Sequence, residues 1–322
     1  MSYFTLKDKI SDLKTFVESA DTPLPKTGIS ALNGLISIKK GYPWFVGGAP
    51  FSGKTEFVFE ILVNTSKMYG WKHFIYCGEG GNIEHIFNEL IHKFLEKLYK
   101  FADEKEKIYA EMFINEHFII ADHDKDYTID DFYDLVNKTE VELGIKFSTT
   151  MFDPFNDIED ESDKFGGRDD KFLAYALKKC RISSKLNDRV DILVNHIADV
   201  KATQDKDTGN WYMRPALPNE WAGGRTWWRR AFTMILIYRP PEWLKNEDGK
   251  NYEPNETLVI IQKAKPKGVG KLGRASIYWD WKKNRYYSYS ESGQLLYSCQ
   301  EQTKKELLPN EEFFENKNDL PF

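Results

Sequence analysis

Eight residues, Gly48-Ala49-Pro50-Phe51-Ser52-Gly53-Lys54-Thr55, constrain this chain more than any other stretch. They set two glycines, a lysine and a hydroxyl residue at the spacing G-x-x-x-x-G-K-[ST]. Glycines at those points let backbone N–H groups close around an anion with no Cβ in the way. The apolar run Tyr42-Pro43-Trp44-Phe45-Val46 precedes Gly47-Gly48 and reads as a buried strand. Residues 56–69 follow with Phe57, Ile61, Leu62 and Met68 at helical spacing. Strand, loop and helix in that order make a phosphate-binding loop. In this reading Gly48, Ser52, Gly53 and Lys54 hold the phosphates of ATP, and the Thr55 hydroxyl ligates Mg²⁺.

The rest of the chain bounds the kind of molecule around that loop. Its 322 residues are 41% hydrophobic and 30% charged, enough for one large domain with appendages. No apolar run has the length of a membrane span, and the polar start lacks a signal core, so neither insertion nor secretion is expected. Cys77, Cys180 and Cys299 have no metal-ligand spacing and suit a reducing compartment. A net charge of −5 leaves nucleic-acid contact to local patches.

Strand-like and helix-like segments alternate along the chain. Strands are expected around Phe74-Ile75-Tyr76, Phe118-Ile119-Ile120-Ala121, and residues 147–152, 190–195, 232–238 and 258–262. Helices are expected over residues 83–101, continuing over 104–112, and over 129–143 and 169–186. Residues 275–281 and 286–290 alternate with period two, as a closing hairpin does. The pattern predicts an α/β fold: a mostly parallel sheet flanked by helices, with a C-terminal β-hairpin extension. Residues 1–25 form an amphipathic helix and linker. The helix packs on its own domain or docks on a neighbouring subunit. Residues 26–298 form the main domain, and 299–322 a disordered acidic tail. Residues 155–170 and 199–225 read as loops.

Ligands of such sheets sit at the carboxyl ends of the strands. Asp153 ends the apolar run Thr150-Met151-Phe152. It is either a strand-capping residue or the acid that holds Mg²⁺ through water. Glu79 follows the next strand as an ordinary loop glutamate or as the general base for an attacking water. His196 closes another strand, structurally or in contact with the γ-phosphate. In the second loop Lys201, Lys206, Trp211, Arg214 and Arg225 have the charge and aromatic character that holds single-stranded DNA; a surface loop is the other reading.

The runs Lys26-Thr27-Gly28-Ile29-Ser30-Ala31-Leu32-Asn33-Gly34-Leu35 and Tyr127-Thr128-Ile129-Asp130-Asp131 belong to a longer set. Trp221-Ala222-Gly223-Gly224-Arg225 and Gln262-Lys263-Ala264-Lys265-Pro266-Lys267-Gly268-Val269-Gly270 complete it. Together, in consistent order over about residues 24–290, they resemble the RecA-like ATPase core of hexameric replicative helicases. These are the DnaB and phage T7 primase–helicase types, with RadA/KaiC-like ATPases as relatives.

The resemblance implies an ATP-dependent single-stranded-DNA translocase, a replicative helicase of a phage or plasmid, in bacterial or phage-infected cytoplasm. Glu79 would be the catalytic base, Asp153 the metal acid and His196 the γ-phosphate sensor. The family's arginine finger, which reaches a neighbour's ATP, falls on Lys265, with Arg274 or Arg225 as alternatives. A lysine is a point charge where arginine is a fork. Subunits would assemble as a ring, a hexamer, or as a filament. The second function in view is a RecA/RadA-like recombination or strand-annealing ATPase. The terminal Asp319-Leu320-Pro321-Phe322 resembles the tail of single-stranded-DNA-binding proteins and would engage replication proteins; a frayed terminus is the plain alternative.

Overall fold

The structure, a computed structural model, describes residues 6–18, 22–198 and 200–299. The tail with Asp319, Leu320, Pro321 and Phe322 lies outside them. Helix α1 covers Leu6–Glu18, and β1, Trp44–Gly48, leads through the phosphate loop into α2, Lys54–Tyr69. Then come β2 (His73–Cys77), α3 (Ile83–Leu95), α4 (Glu104–His117), β3 (Phe118–Ile120), α5 (Ile129–Leu143) and β4 (Thr149–Asp153). Helix α6 (Asp169–Asn187) leads to β5 (Val190–His196), a small ribbon of β6 (Ala202–Gln204) and β7 (Trp211–Met213), and α7 (Arg225–Arg230). Strands β8 (Thr233–Tyr238), β9 (Glu256–Lys263), β10 (Gly273–Asp280), β11 (Arg285–Tyr289) and β12 (Leu295–Tyr297) finish the described chain.

Ten strands form one sheet in the order β12-β11-β10-β9-β8-β1-β5-β4-β2-β3. The six from β8 to β3 run parallel, and β9 to β12 extend the sheet antiparallel. This is the mostly parallel α/β sheet that the alternation predicts. Apolar residues of the parallel strands point both ways, as expected where helices cover both faces. One face buries Phe57, Ile61 and Leu62 of α2 with Ile86 and Leu90 of α3. The other buries Phe132 and Val136 of α5, Phe172 and Leu173 of α6 and Trp227 of α7.

Four local features depart from the sequence expectation. The helix expected over 83–101 stops at Leu95, because Glu96 turns left-handed at φ 59° and gives its carboxylate to Arg285 at 2.9 Å. The second loop folds back as the β6–β7 ribbon. Its last residues wind into α7, whose Trp227 is fully buried. The C-terminal hairpin gains a further strand, β12. No helix among the described residues is long and apolar enough to cross a membrane.

Candidate active site

The carboxyl ends of β1, β2, β4 and β5 converge, and the sheet register fixes which residues meet there. Gly48 lies beside His196, and Cys77 beside Asp153. A Cβ on Gly48 would lie 2.5 Å from the Ile237 carbonyl oxygen, so only glycine lets β1 turn into the loop at this point. Gly53 sits at φ 88°, where an L side chain is strained, and caps α2. The loop therefore presents its amides at the N-terminus of a sixteen-residue helix, an anion-binding geometry.

The side chains form a connected polar set. Thr55 Oγ1 donates to Asp153 Oδ2 at 2.5 Å. Lys54 Nζ donates to the Ala49 carbonyl at 3.0 Å and lies 3.5 Å from His196 Nδ1. His196 Nε2 lies 3.2 Å from Glu79 Oε1. Because Lys54 can only donate, Nδ1 accepts and Nε2 carries the proton that Glu79 receives. Burial pushes the Asp153 carboxyl up to about 6, against the Thr55 hydrogen bond and the Lys54 charge that pull it down. Burial likewise lowers the Lys54 ammonium, against the attraction of Asp153 and Glu79. Both groups are thus short of counter-charge. Ser52 Oγ is buried without a partner.

These facts test the fit of a nucleotide and a metal. A buried acid that favours its neutral form gains from a cation. A buried lysine and an orphaned hydroxyl in an amide cradle gain from phosphate oxygens. The residues fit Mg²⁺ on Thr55 and Asp153, and a triphosphate on Gly48, Ser52, Gly53 and Lys54. Beside them opens a cavity of about 400 Å³ lined by Thr55, Glu56, Glu79, His85 and Glu89 among others.

Sequence reasoning missed Asp157. It stands on the short turn after Asp153 and abuts Gly78 so closely that a Cβ there would collide with its carboxylate. Burial and the Glu79 charge raise its carboxyl. The signal was present as a second acid four residues past the first.

The other expected residues divide. Lys201, Lys206 and the 65%-exposed Trp211 share the β6–β7 ribbon. Arg214 is held at the ribbon's base by Glu220, at 2.6 and 2.8 Å. Arg225 opens α7, off the ribbon. Lys265 is exposed and lines a second cavity, of about 370 Å³, with Lys178, Arg181, Arg229 and Arg230. Lys263 is tied to the Trp228 carbonyl and lies 4.8 Å over its ring. Arg274 pairs with Glu247 at 2.5 Å. Arg229 and Arg230 escaped the sequence reading, because their place depends on a helix of six residues.

No family model and no curated protein matches the sequence. Solved structures do. The ATPase domain of one DnaB-like helicase superposes with a TM-score of 0.67 at 17% identity, over 88% of this chain and 99% of that one. A second DnaB-like replicative helicase, described with its interactions with primase, superposes with a TM-score of 0.63 at 16% identity, over 88% and 67%. The fold is that of a RecA-like ATPase core. In this RecA-like core the phosphate loop, Asp153, Glu79 and His196 occupy the strand ends where ligands of open α/β sheets bind.

Proposed function

We propose that the chain hydrolyses ATP and uses the cycle to move along single-stranded DNA, as a replicative-helicase motor assembled from several copies. The observation that carries the reading is the chain of contacts Thr55–Asp153 and Lys54–His196–Glu79 at one end of the sheet. Glu79 takes a proton from water as its oxygen bonds the γ-phosphorus and the bond to the β-phosphate oxygen breaks; orthophosphate and ADP leave. Lys54 and the loop amides offset the charge that develops on the phosphoryl oxygens. Mg²⁺ held by Thr55 and Asp153 supplies further positive charge there. His196, between Lys54 and Glu79, senses the γ-phosphate and opens the loop that leads to the ribbon. Lys201, Lys206 and Trp211 hold the strand by charge and stacking.

The sheet supports assembly. Strand β9 runs against β8, so Lys263 pairs with Met234 at the end away from the phosphate loop. Lys265, two residues further, and Arg229 and Arg230 beside it therefore face another subunit's nucleotide. Helix α1 leaves Leu6 and Val17 exposed, an apolar stripe for a neighbouring copy. A ring, a hexamer as in the resembled helicases, satisfies both.

The test is ATP hydrolysis with and without single-stranded DNA for the wild type and Lys54→Ala, then unwinding of a forked duplex. The expected result is DNA-stimulated turnover that needs Lys54, with unwinding. Stimulation without unwinding, together with annealing of complementary strands, would replace the motor by a recombination-type ATPase. The absence of any DNA effect would remove nucleic acid from the function.

A further inference from the structure

The β8–β9 ladder slips once. Met234 pairs with Lys263 and Ile235 with Ile261, which leaves Gln262 without a partner on β8. A bulge of this kind re-aims a side chain. Here the Gln262 amide bridges two points of the strap between the ribbon and α7. Its Oε1 accepts from Trp221 Nε1 at 3.0 Å, and its Nε2 donates to the Ala216 carbonyl at 2.6 Å.

The strap rests directly on the loop that leaves His196. Ala198 N–H donates to the Glu220 carbonyl at 2.9 Å, and Ala222 N–H to the His196 carbonyl at 3.2 Å. Trp221 is fully buried and presses on the strand that feeds the phosphate loop: a Cβ on Gly47 would lie 2.7 Å from its ring. Glu220 clamps Arg214 at the base of the ribbon. One glutamine thus ties together the strand exit bearing Lys263 and Lys265, the loop after His196 and the foot of the ribbon.

We infer that Gln262 is a positioning residue that couples nucleotide turnover to single-stranded DNA held on the β6–β7 ribbon. It acts through Trp221 and the strap and touches neither ligand. The inference rests on the motor reading above. Its bridge is worth having because a buried indole N–H and a carbonyl left unpaired cost more than their bond contributes. The strap therefore keeps one arrangement relative to β9 as long as the amide is present.

The experiment compares the wild type with Gln262→Met, which keeps the length of the side chain and removes both hydrogen bonds. Turnover without DNA and the KM for ATP stay within about twofold of wild type, while stimulation by an oligothymidine strand falls about two- to thirtyfold, the range of a single coupling contact. Thermal unfolding checks the fold. If Gln262→Met lowers folded yield, Trp221→Phe removes the indole N–H and carries the same comparison. Stimulation equal to wild type in the folded variant overturns the inference, as does an equal loss of turnover with and without DNA. A wild type that DNA does not stimulate defeats the motor reading itself, a separate outcome.

Discussion

At the scale of single residues the site was legible wherever its signal is local. Lys54, Thr55, Asp153, Glu79 and His196 each end or follow an apolar strand, and parallel pairing brings strand ends together without further information. Asp157 was not legible, because its position depends on a one-turn segment after Asp153. Gly47 was read only as the end of a strand, yet the structure gives it a steric duty. Its Cβ would meet two ring carbons of Trp221 at 2.7 Å, and that indole is fully buried and hydrogen-bonded, so it cannot yield. Gly47→Ala is expected to cost about 1–3 kcal/mol, the usual penalty of overpacking. Urea unfolding measures it. Because Gly48 follows directly, the KM for ATP should rise in the same variant; an unchanged stability and KM would mean that Trp221 moves aside freely.

At the scale of elements, long periodic segments were readable and short ones were not. The three-residue strands of the ribbon carry no alternation, and tertiary contacts hold them: the Tyr238 hydroxyl donates to the Met213 carbonyl at 2.8 Å, and Trp243 meets Tyr212 edge-on at 5.8 Å. Helix α3 ends early for a similar reason, since Glu96 answers the buried Arg285 of β11 rather than the helix-forming sequence around it. Strand β2 holds a feature that composition hides. His73 is wholly buried between the Thr149 hydroxyl at 2.6 Å and the Ser66 hydroxyl at 2.9 Å. Burial takes its imidazole from the ordinary 6.5 down to about 3. Below 6.5 the unfolded chain binds a proton that the folded strand refuses, so stability is intact above that value and falls as pH drops towards about 3. The slope from this one group is about 1.4 kcal/mol per pH unit. Chemical unfolding at a series of pH values should show a shallower acid loss for His73→Gln than for the wild type. Parallel curves would show that the imidazole is protonated in the folded protein.

At the scale of the whole molecule, charge is split between two ends of the sheet. The cavity beside Thr55 is lined by Glu56, Glu79 and Glu89, and the far cavity by Lys178, Arg181, Arg229, Arg230 and Lys265. Among the described residues no ion pair neutralises those five cations. A head-to-tail arrangement brings the basic end of one copy to the acidic, nucleotide-holding end of the next, and such an interface closes into a ring when its rotation allows. Sequence alone carried only Lys265 for this role; the arginines beside it become visible once α7 and the exit of β9 are placed together. The arrangement makes a complementation experiment decisive. Lys54→Ala spoils the phosphate loop and keeps the cations, whereas the double variant Arg230→Glu, Lys265→Glu keeps the loop and reverses the cations. Each alone should turn over at least about a hundredfold more slowly than wild type, in line with the weight of a cation supplied in trans. Co-expressed in equal amounts and assorting at random, about a quarter of their interfaces pair an intact loop with intact cations. Turnover of the mixture should then exceed the sum of the two parents many times over. A mixture no faster than its parents, with size-exclusion chromatography showing mixed assemblies, would mean that the basic cavity serves something other than a neighbour's nucleotide.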